Sequence, residues 1–100
     1  MREAARRGWA HPLVVLYVVG NDEVGCTRVG ITVSGRVGKA VVRNRVRRRL
    51  RAALDARFEQ LPAQSDVVVA ARPPSAEAGW SELCAALDTL LVRAREAGRR

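Results

Sequence analysis

The chain has little with which to do chemistry of its own. Its 100 residues include one histidine, His11, and two cysteines, Cys26 and Cys84. The aromatics are Trp9, Tyr17, Phe58 and Trp80. Two cysteines so far apart do not make a zinc cluster, which needs paired short spacings. They are expected as separate thiols, because a basic chain with no apolar h-region in Met1–Pro12 points to the reducing cytoplasm. No apolar run approaches the roughly 18 residues of a membrane span. The acids are scattered, and no two stand at a metal-binding spacing beside a histidine, so no catalytic residue and no protein metal site is expected. Ser34 has no partner base. Gly30-Ile-Thr-Val-Ser-Gly35 has the glycine spacing of a phosphate loop, but Arg36-Val37 stands where Lys-Ser/Thr is required. Gly35-Arg-Val-Gly38 joins a strand to a helix, whereas the G-x-x-G of a KH domain joins two helices.

What the chain does have is positive charge, in one place. The net charge is +8, from 18 bases and 10 acids. Arg36 to Arg57 holds nine of those bases (Arg36, Lys39, Arg43, Arg45, Arg47, Arg48, Arg49, Arg51 and Arg57) against the single acid Asp55. The remainder of the chain is neutral. Lys39 is the only lysine, and the abundance of Ala, Gly and Val beside Arg reads as GC-rich coding bias rather than as a preference for guanidinium. On a wheel of about 100° per residue, Val42, Leu50, Ala53 and Leu54 fall within roughly 80° of Val46 and form a core stripe. Asn44, Arg47, Arg48 and Arg51 lie opposite, with Arg43, Arg45 and Arg49 flanking. A one-sided charge run with few acids to pair is poorly explained as a merely solvated face, and it favours a polyanion. The dry stripe carries only Val, Leu and Ala, which fits packing on a sheet better than a membrane surface. Nucleic acid is therefore the expected partner. No short helix stands upstream to make a helix-turn-helix, and the neighbouring strands make RNA the more natural form.

Along the chain, Arg2–Arg7 could form a short helix closed by Gly8, with Trp9–Pro12 a linker or short edge strand. Leu13–Val19 is β-branched and apolar throughout, a strand expected to be covered on both faces. Gly20–Gly25 is turn material, and Thr27–Val33 reads as the returning strand of a hairpin, with Gly30 marking a bulge or a close backbone approach. The basic helix starts near Lys39 and is limited by Pro62. Asp66–Arg72 is a further strand, and a last helix runs from Trp80 or Ser81 to Ala97 with Ser81 as its N-cap. Residues 98–100 read as a frayed tail. Strand–helix–strand from Thr27 to Arg72 requires a crossover, so the chain is expected to be a single domain of the α+β class, a two-layer α/β sandwich.

Arg28-Val-Gly-Ile-Thr-Val-Ser34, Val37-Gly-Lys-Ala-Val-Val-Arg-Asn-Arg45 and Arg47-Arg-Arg-Leu-Arg51 resemble the signature of the bacterial ribonuclease P protein family. The likeness extends to Val15-Leu16-Tyr17 and to Asp66–Pro73, and so covers nearly all of the chain from about Gly8. The resemblance implies a central, mostly antiparallel sheet with the basic helix in a left-handed βαβ crossover. It implies a protein that assists a catalytic RNA subunit, with Mg²⁺ bound through that RNA, in removing the 5′ leader of precursor tRNA in the cytoplasm, one protein per RNA. Carried over by position, Arg36, Lys39, Arg43, Asn44, Arg45, Arg47, Arg48 and Arg51 become RNA contacts, and Tyr17 a wall of the leader cleft. Val14 stands where phenylalanine is common, and Gly35 where a base is typical, which removes one phosphate contact. The segment before Gly8 supplies less than the family's longer N-terminal helix, so that helix is expected to be shortened. The rival reading is a ribosomal-type RNA-binding protein that takes no part in processing.

Overall fold

The strand Ser65–Ala71 organises the sheet. In the computed structural model, which describes residues 6–20 and 26–98, Ser65, Val67, Val69 and Ala71 are buried while Asp66, Val68 and Ala70 alternate with them at intermediate exposure. This strand, β4, follows β1 (Arg6–Ala10), β2 (Val14–Gly20) and β3 (Arg28–Val33) in the chain. The sheet order is β1-β2-β4-β3. β4 runs antiparallel to β2 and parallel to β3, and β1 runs antiparallel to β2. Two of the three pairings are thus antiparallel, as the α+β reading requires. Helix α1 (Ala40–Ala56) makes the crossover from β3 to β4, because two parallel neighbours cannot be joined by a tight turn.

The expected hairpin between Leu13–Val19 and Thr27–Val33 does not form, because β4 lies between the two strands and pairs with both. A strand buried at every second residue gains most from the centre of a sheet, where both edges are hydrogen-bonded, and sequence adjacency yields to it. Arg6 and Arg7 belong to β1, paired with Val19 and Val18, rather than to a helix. The rest of that expected helix, the turn residues 21–25 and the tail residues 99–100 lie outside the described residues. Gly30 produces no bulge, since the register runs unbroken from Arg28↔Asp66 to Val33↔Ala71.

Both helices pack on one face of the sheet. Val46, Leu50, Ala53 and Leu54 of α1 are buried, and so are Leu83, Ala86, Leu87, Leu90, Leu91 and Ala94 of α2 (Trp80–Gly98). They form one cluster with Val14, Leu16, Val67 and Val69. Each fully buried Leu or Val contributes about 1.5–3 kcal/mol relative to exposure, so this stripe decides which way α1 turns. The opposite face carries Val15, Tyr17, Val19, Val68 and Ala70, all half-buried, so among the described residues β2 is covered by helices on one face only.

The helix ends are set locally. Ser34 Oγ accepts the Arg36 N–H at 3.3 Å, opening a 3-10 turn over Gly35–Val37 that leads to α1. The N-cap of α2 is Gly79 and not Ser81. Its carbonyl accepts the Leu83 N–H at 3.1 Å, and its own N–H donates to Glu82 Oε1 at 2.8 Å. That reciprocal arrangement is half of a capping box, with glycine in the cap position.

Candidate nucleic-acid interface

The approach to α1 explains the Val37-Gly38-Lys39 sequence. Val37 is buried, and Gly38 has φ 154°, a conformation side chains rarely adopt. A Cβ on Gly38 would stand 3.1 Å from both Cβ and Cγ1 of Val42. Gly38 therefore lets the chain enter the helix against its own first turn, and Lys39 at the N-cap position projects into solvent. The Gly38 carbonyl then accepts Arg43 Nε at 3.1 Å.

The nine bases of this segment divide into two sets. Arg45 Nη2 donates to the Ala76 carbonyl at 3.1 Å, and Arg49 Nη1 to the Ala78 carbonyl at 3.0 Å. Arg57 donates from Nε to Asp88 Oδ1 at 2.6 Å and from Nη1 to the Ala53 carbonyl at 3.1 Å. Its hydrogen bond to Asp88 raises the Arg57 pKa above the ordinary arginine value, which keeps it cationic. With Arg43, these arginines are half-buried and tie α1 to the loop before it, to the Pro73–Glu77 turn and to α2. Arg45 Nε is buried with no hydrogen-bond partner among the described residues.

Arg36, Lys39, Arg48 and Arg51 form the second set. They are exposed, and among the described residues their side chains have no hydrogen-bond or ion-pair partner. Arg47 is half-buried and donates to Asn44 Oδ1 at 3.0 Å, which holds the exposed Asn44 amide beside the cations. The structure places Asn44, Arg47, Arg48 and Arg51 on the side of α1 away from its buried stripe, a ridge along the helix, with Arg36 and Lys39 exposed on the approach to the helix, whereas Arg43 and Arg45 stand on the flanks with donors already committed. Arg49, which the sequence placed only as flanking, plays the same clamping part as Arg45. Its spacing of four residues from Arg45 was the available signal.

Tyr17 is not on this ridge. It lies on the face of the sheet that carries no helix among the described residues, opposite the face on which α1 packs. There it heads a row across all four strands, Gly8–Tyr17–Val68–Gly30, fixed by consecutive register pairs. Sequence reasoning missed Gly8 and Val68 because strand order, not strand pattern, makes them neighbours. Arg28 and Asp66 occupy the adjacent row, joined at 2.8 and 2.9 Å, and this pairing raises the Arg28 pKa. His11 has a turn role, with Nδ1 accepting the Leu13 N–H at 3.0 Å. Cys26 and Cys84 are free thiols. No three His, Cys, Asp or Glu side chains converge on a metal-sized site among the described residues. No helix among them is long and apolar enough to cross a membrane.

A small α+β domain that exposes unpaired guanidinium groups on one helix, with the other arginines of that helix holding it in place, has a surface suited to a polyanion. The comparisons with known proteins make the class an RNA-binding ribonucleoprotein subunit. The profile of a family described as Ribonuclease P matches residues 3–95, and the chain belongs to that family. The ribonuclease P protein component of Acidothermus cellulolyticus is 41% identical over 93 residues, spanning 93% of this chain and 77% of the relative. That of a Nocardioides species is 43% identical over 96 residues, spanning 92% and 82%. Among solved structures, the Staphylococcus aureus RNase P protein superposes with a TM-score of 0.81 at 28% identity, over 89% of this chain and 81% of that one. The Thermotoga maritima RNase P protein shares the fold, with a TM-score of 0.78 at 24% identity over 88% and 83%. The chain is accordingly a bacterial-type protein component of ribonuclease P, with tRNA processing as its role and an RNA subunit as its partner.

Proposed function

We propose that this protein grips the RNA subunit with the α1 ridge while that RNA carries the cleavage chemistry, and that the helix-free face of the sheet receives the 5′ leader of precursor tRNA. The observation that carries the first half is the division of the bases. Arg36, Lys39, Arg48 and Arg51, with Asn44 and Arg47, stay available to phosphates, whereas Arg43, Arg45, Arg49 and Arg57 hold the helix. Phosphate contacts of this kind fix register and orientation and make affinity strongly salt-dependent. Tyr17 carries the second half, because an aromatic on an open sheet face stacks on unpaired bases.

The protein's own residues then bind and orient, one protein to one RNA, in the cytoplasm. Mg²⁺ belongs to the RNA, whose phosphate oxygens are the hard donors that ion prefers. The described residues offer no cluster of three acidic or histidine donors for it. Neutralising the backbone at the ridge lowers the concentration of Mg²⁺ at which the RNA works. The test mixes the protein with a bacterial ribonuclease P RNA at low Mg²⁺ and follows cleavage of precursor tRNA. Stimulation over RNA alone is expected. Binding to that RNA without stimulation would instead favour the ribosomal-type reading.

A further inference from the structure

Three ties between distant residues set α1 and α2 side by side. Arg45 holds the Ala76 carbonyl, Arg49 the Ala78 carbonyl and Arg57 the Asp88 carboxylate, so the two segments advance in the same sense. Trp80 follows Ala78 closely, which puts it near the level of Arg49. In α2 it stands at helical spacing ahead of Leu83, Leu87 and Leu91, on the line of the buried stripe. Those leucines are covered, whereas Trp80 is 46% exposed. The stripe thus runs one turn past the end of the core and finishes on an indole. Ala52, one turn after Arg48 on the neighbouring flank of α1, is exposed and ends at its Cβ. The indole N–H has no hydrogen-bond partner among the described residues. Val41, 76% exposed, precedes Arg45 and Arg48 by one and two turns and adds apolar surface on the same side of α1. One exposed indole alone would be ordinary surface. Here it adjoins an exposed valine and a row of arginines.

We propose that Trp80 is a stacking platform for an unpaired nucleobase of the RNA subunit, met when the RNA backbone lies along the α1 ridge. The proposal rests on the reading of that ridge as the grip on the RNA subunit, and it extends the contact from α1 to the start of α2. Charge complementarity names the occupant. Arg36 to Arg57 carries nine bases against one acid, and Arg48 is exposed without a partner among the described residues. A polyanion drawn there brings bases as well as phosphates, and every base has a flat face that an indole can meet. Glu77 and Glu82 stand on either side of Trp80 in the chain, and both are exposed. A phosphate is therefore disfavoured at the ring, and an uncharged base is the part of the RNA that fits. The turn that carries the ring is fixed beforehand, since Arg49 ties Ala78 and Glu82 accepts the Gly79 N–H. A platform held in this way loses little freedom when a base arrives. Stacking is tolerant of sequence, so Trp80 adds affinity without selecting a base.

The experiment uses the full chain and a bacterial ribonuclease P RNA. The chain has two tryptophans, Trp9 and Trp80, so Trp9→Phe leaves Trp80 as the only indole emitter. Saturating RNA should quench that emission and shield it from acrylamide. Trp80→Ala should weaken RNA binding about tenfold, within the range of one stacked base. It should leave the slope of affinity against salt unchanged, because no phosphate contact is lost. Trp80→Phe should recover most of the loss, whereas Trp80→Leu, apolar but not planar, should not. Melting curves confirm folding. Unchanged emission and acrylamide access in the saturated complex overturn the proposal, and so does a folded Trp80→Ala with full affinity. The emission reading changes nothing at Trp80, so it decides the matter even where Trp80→Ala does not fold. Shielding that appears with rising protein concentration before RNA is added assigns the ring to a second copy of the chain. Shielding by precursor tRNA but not by the RNA subunit assigns it to the substrate, and either result overturns the RNA subunit as occupant. An unchanged salt slope in Arg48→Ala with Arg51→Ala overturns the underlying ridge reading instead.

Discussion

The guanidinium of Arg45 donates to the carbonyl of Ala76 at 3.1 Å, thirty-one residues further along the chain. One of the arginines in the Arg43-Asn44-Arg45 block is thereby a fold contact, joining α1 to the turn that feeds α2. Arg49, one helical turn later, repeats it at Ala78. Arg45→Ala should lower stability by about 1–2 kcal/mol, the worth of a charged hydrogen bond to a half-buried carbonyl. Thermal melting checks the loss. The salt dependence of RNA binding should change less than for an outward-facing arginine, because the Arg45 donors are partly committed before RNA arrives.

Arg48 and Arg51 should behave in the opposite way. Both are exposed, and neither has a partner among the described residues. The double variant Arg48→Ala with Arg51→Ala should leave stability within about 0.5 kcal/mol. It should flatten the slope of log affinity against log salt by roughly one to two units, as lost phosphate contacts do. A salt titration of binding to the RNA subunit measures this directly. An unchanged slope would show that these side chains do not meet phosphates. Arg47→Ala with Arg48→Ala should flatten the slope similarly, with added loss from freeing Asn44.

Gly38→Ala tests the entry to the ridge. Alanine there must take a positive φ and must also push against Val42 at 3.1 Å. The expected cost is about 1–3 kcal/mol, the range for a residue forced into a sparsely populated backbone region. RNA affinity at low temperature should fall along with helix content, read by circular dichroism, because Lys39 and Arg43 are placed by this turn.

The Arg57–Asp88 pair fastens the far end of α1 to α2, with the Arg57 side chain 16% exposed. Arg57→Ala should cost about 1–2 kcal/mol, part of it from the Ala53 carbonyl left without its donor. The folded-state pKa of Arg57 is raised. A raised pKa gives stability that is fully present below the unfolded value and lost only as pH rises through the folded one. Both values lie above the working range, so the melting difference between the parent and Arg57→Ala should stay constant from roughly pH 7 to 10. A difference that shrank across that window would mean another group had been coupled to this pair.

The face of α1 was legible residue by residue. Val46, Leu50 and Leu54 recur at helical spacing, and an apolar stripe of that width must be buried whatever it packs on. The cationic ridge followed from the same wheel. That Arg43, Arg45 and Arg49 flank the stripe was also legible, but their partners were not. Backbone carbonyls carry no sequence signal, and those of Ala76 and Ala78 come near only after α2 docks. The helix-free face was the harder case. β2 reads as apolar at every position, and a pattern without alternation does not tell a strand covered on two faces from one covered on a single face.

Composition, helical periodicity and the Val37–Arg51 motif sufficed to determine the class of fold, the place of the charge and the family. These depend on local spacing, which a linear sequence records. Tertiary structure alone decided that β4 separates β2 from β3, and so put Gly8, Tyr17, Val68 and Gly30 in one row. It alone divided the arginines of α1 into those that hold the helix and those left exposed without a partner among the described residues. The first outcome turns on which strand gains most from the centre of the sheet and the second on where α2 and the turn before it dock, and both are settled by burial across the whole chain rather than by any segment of it.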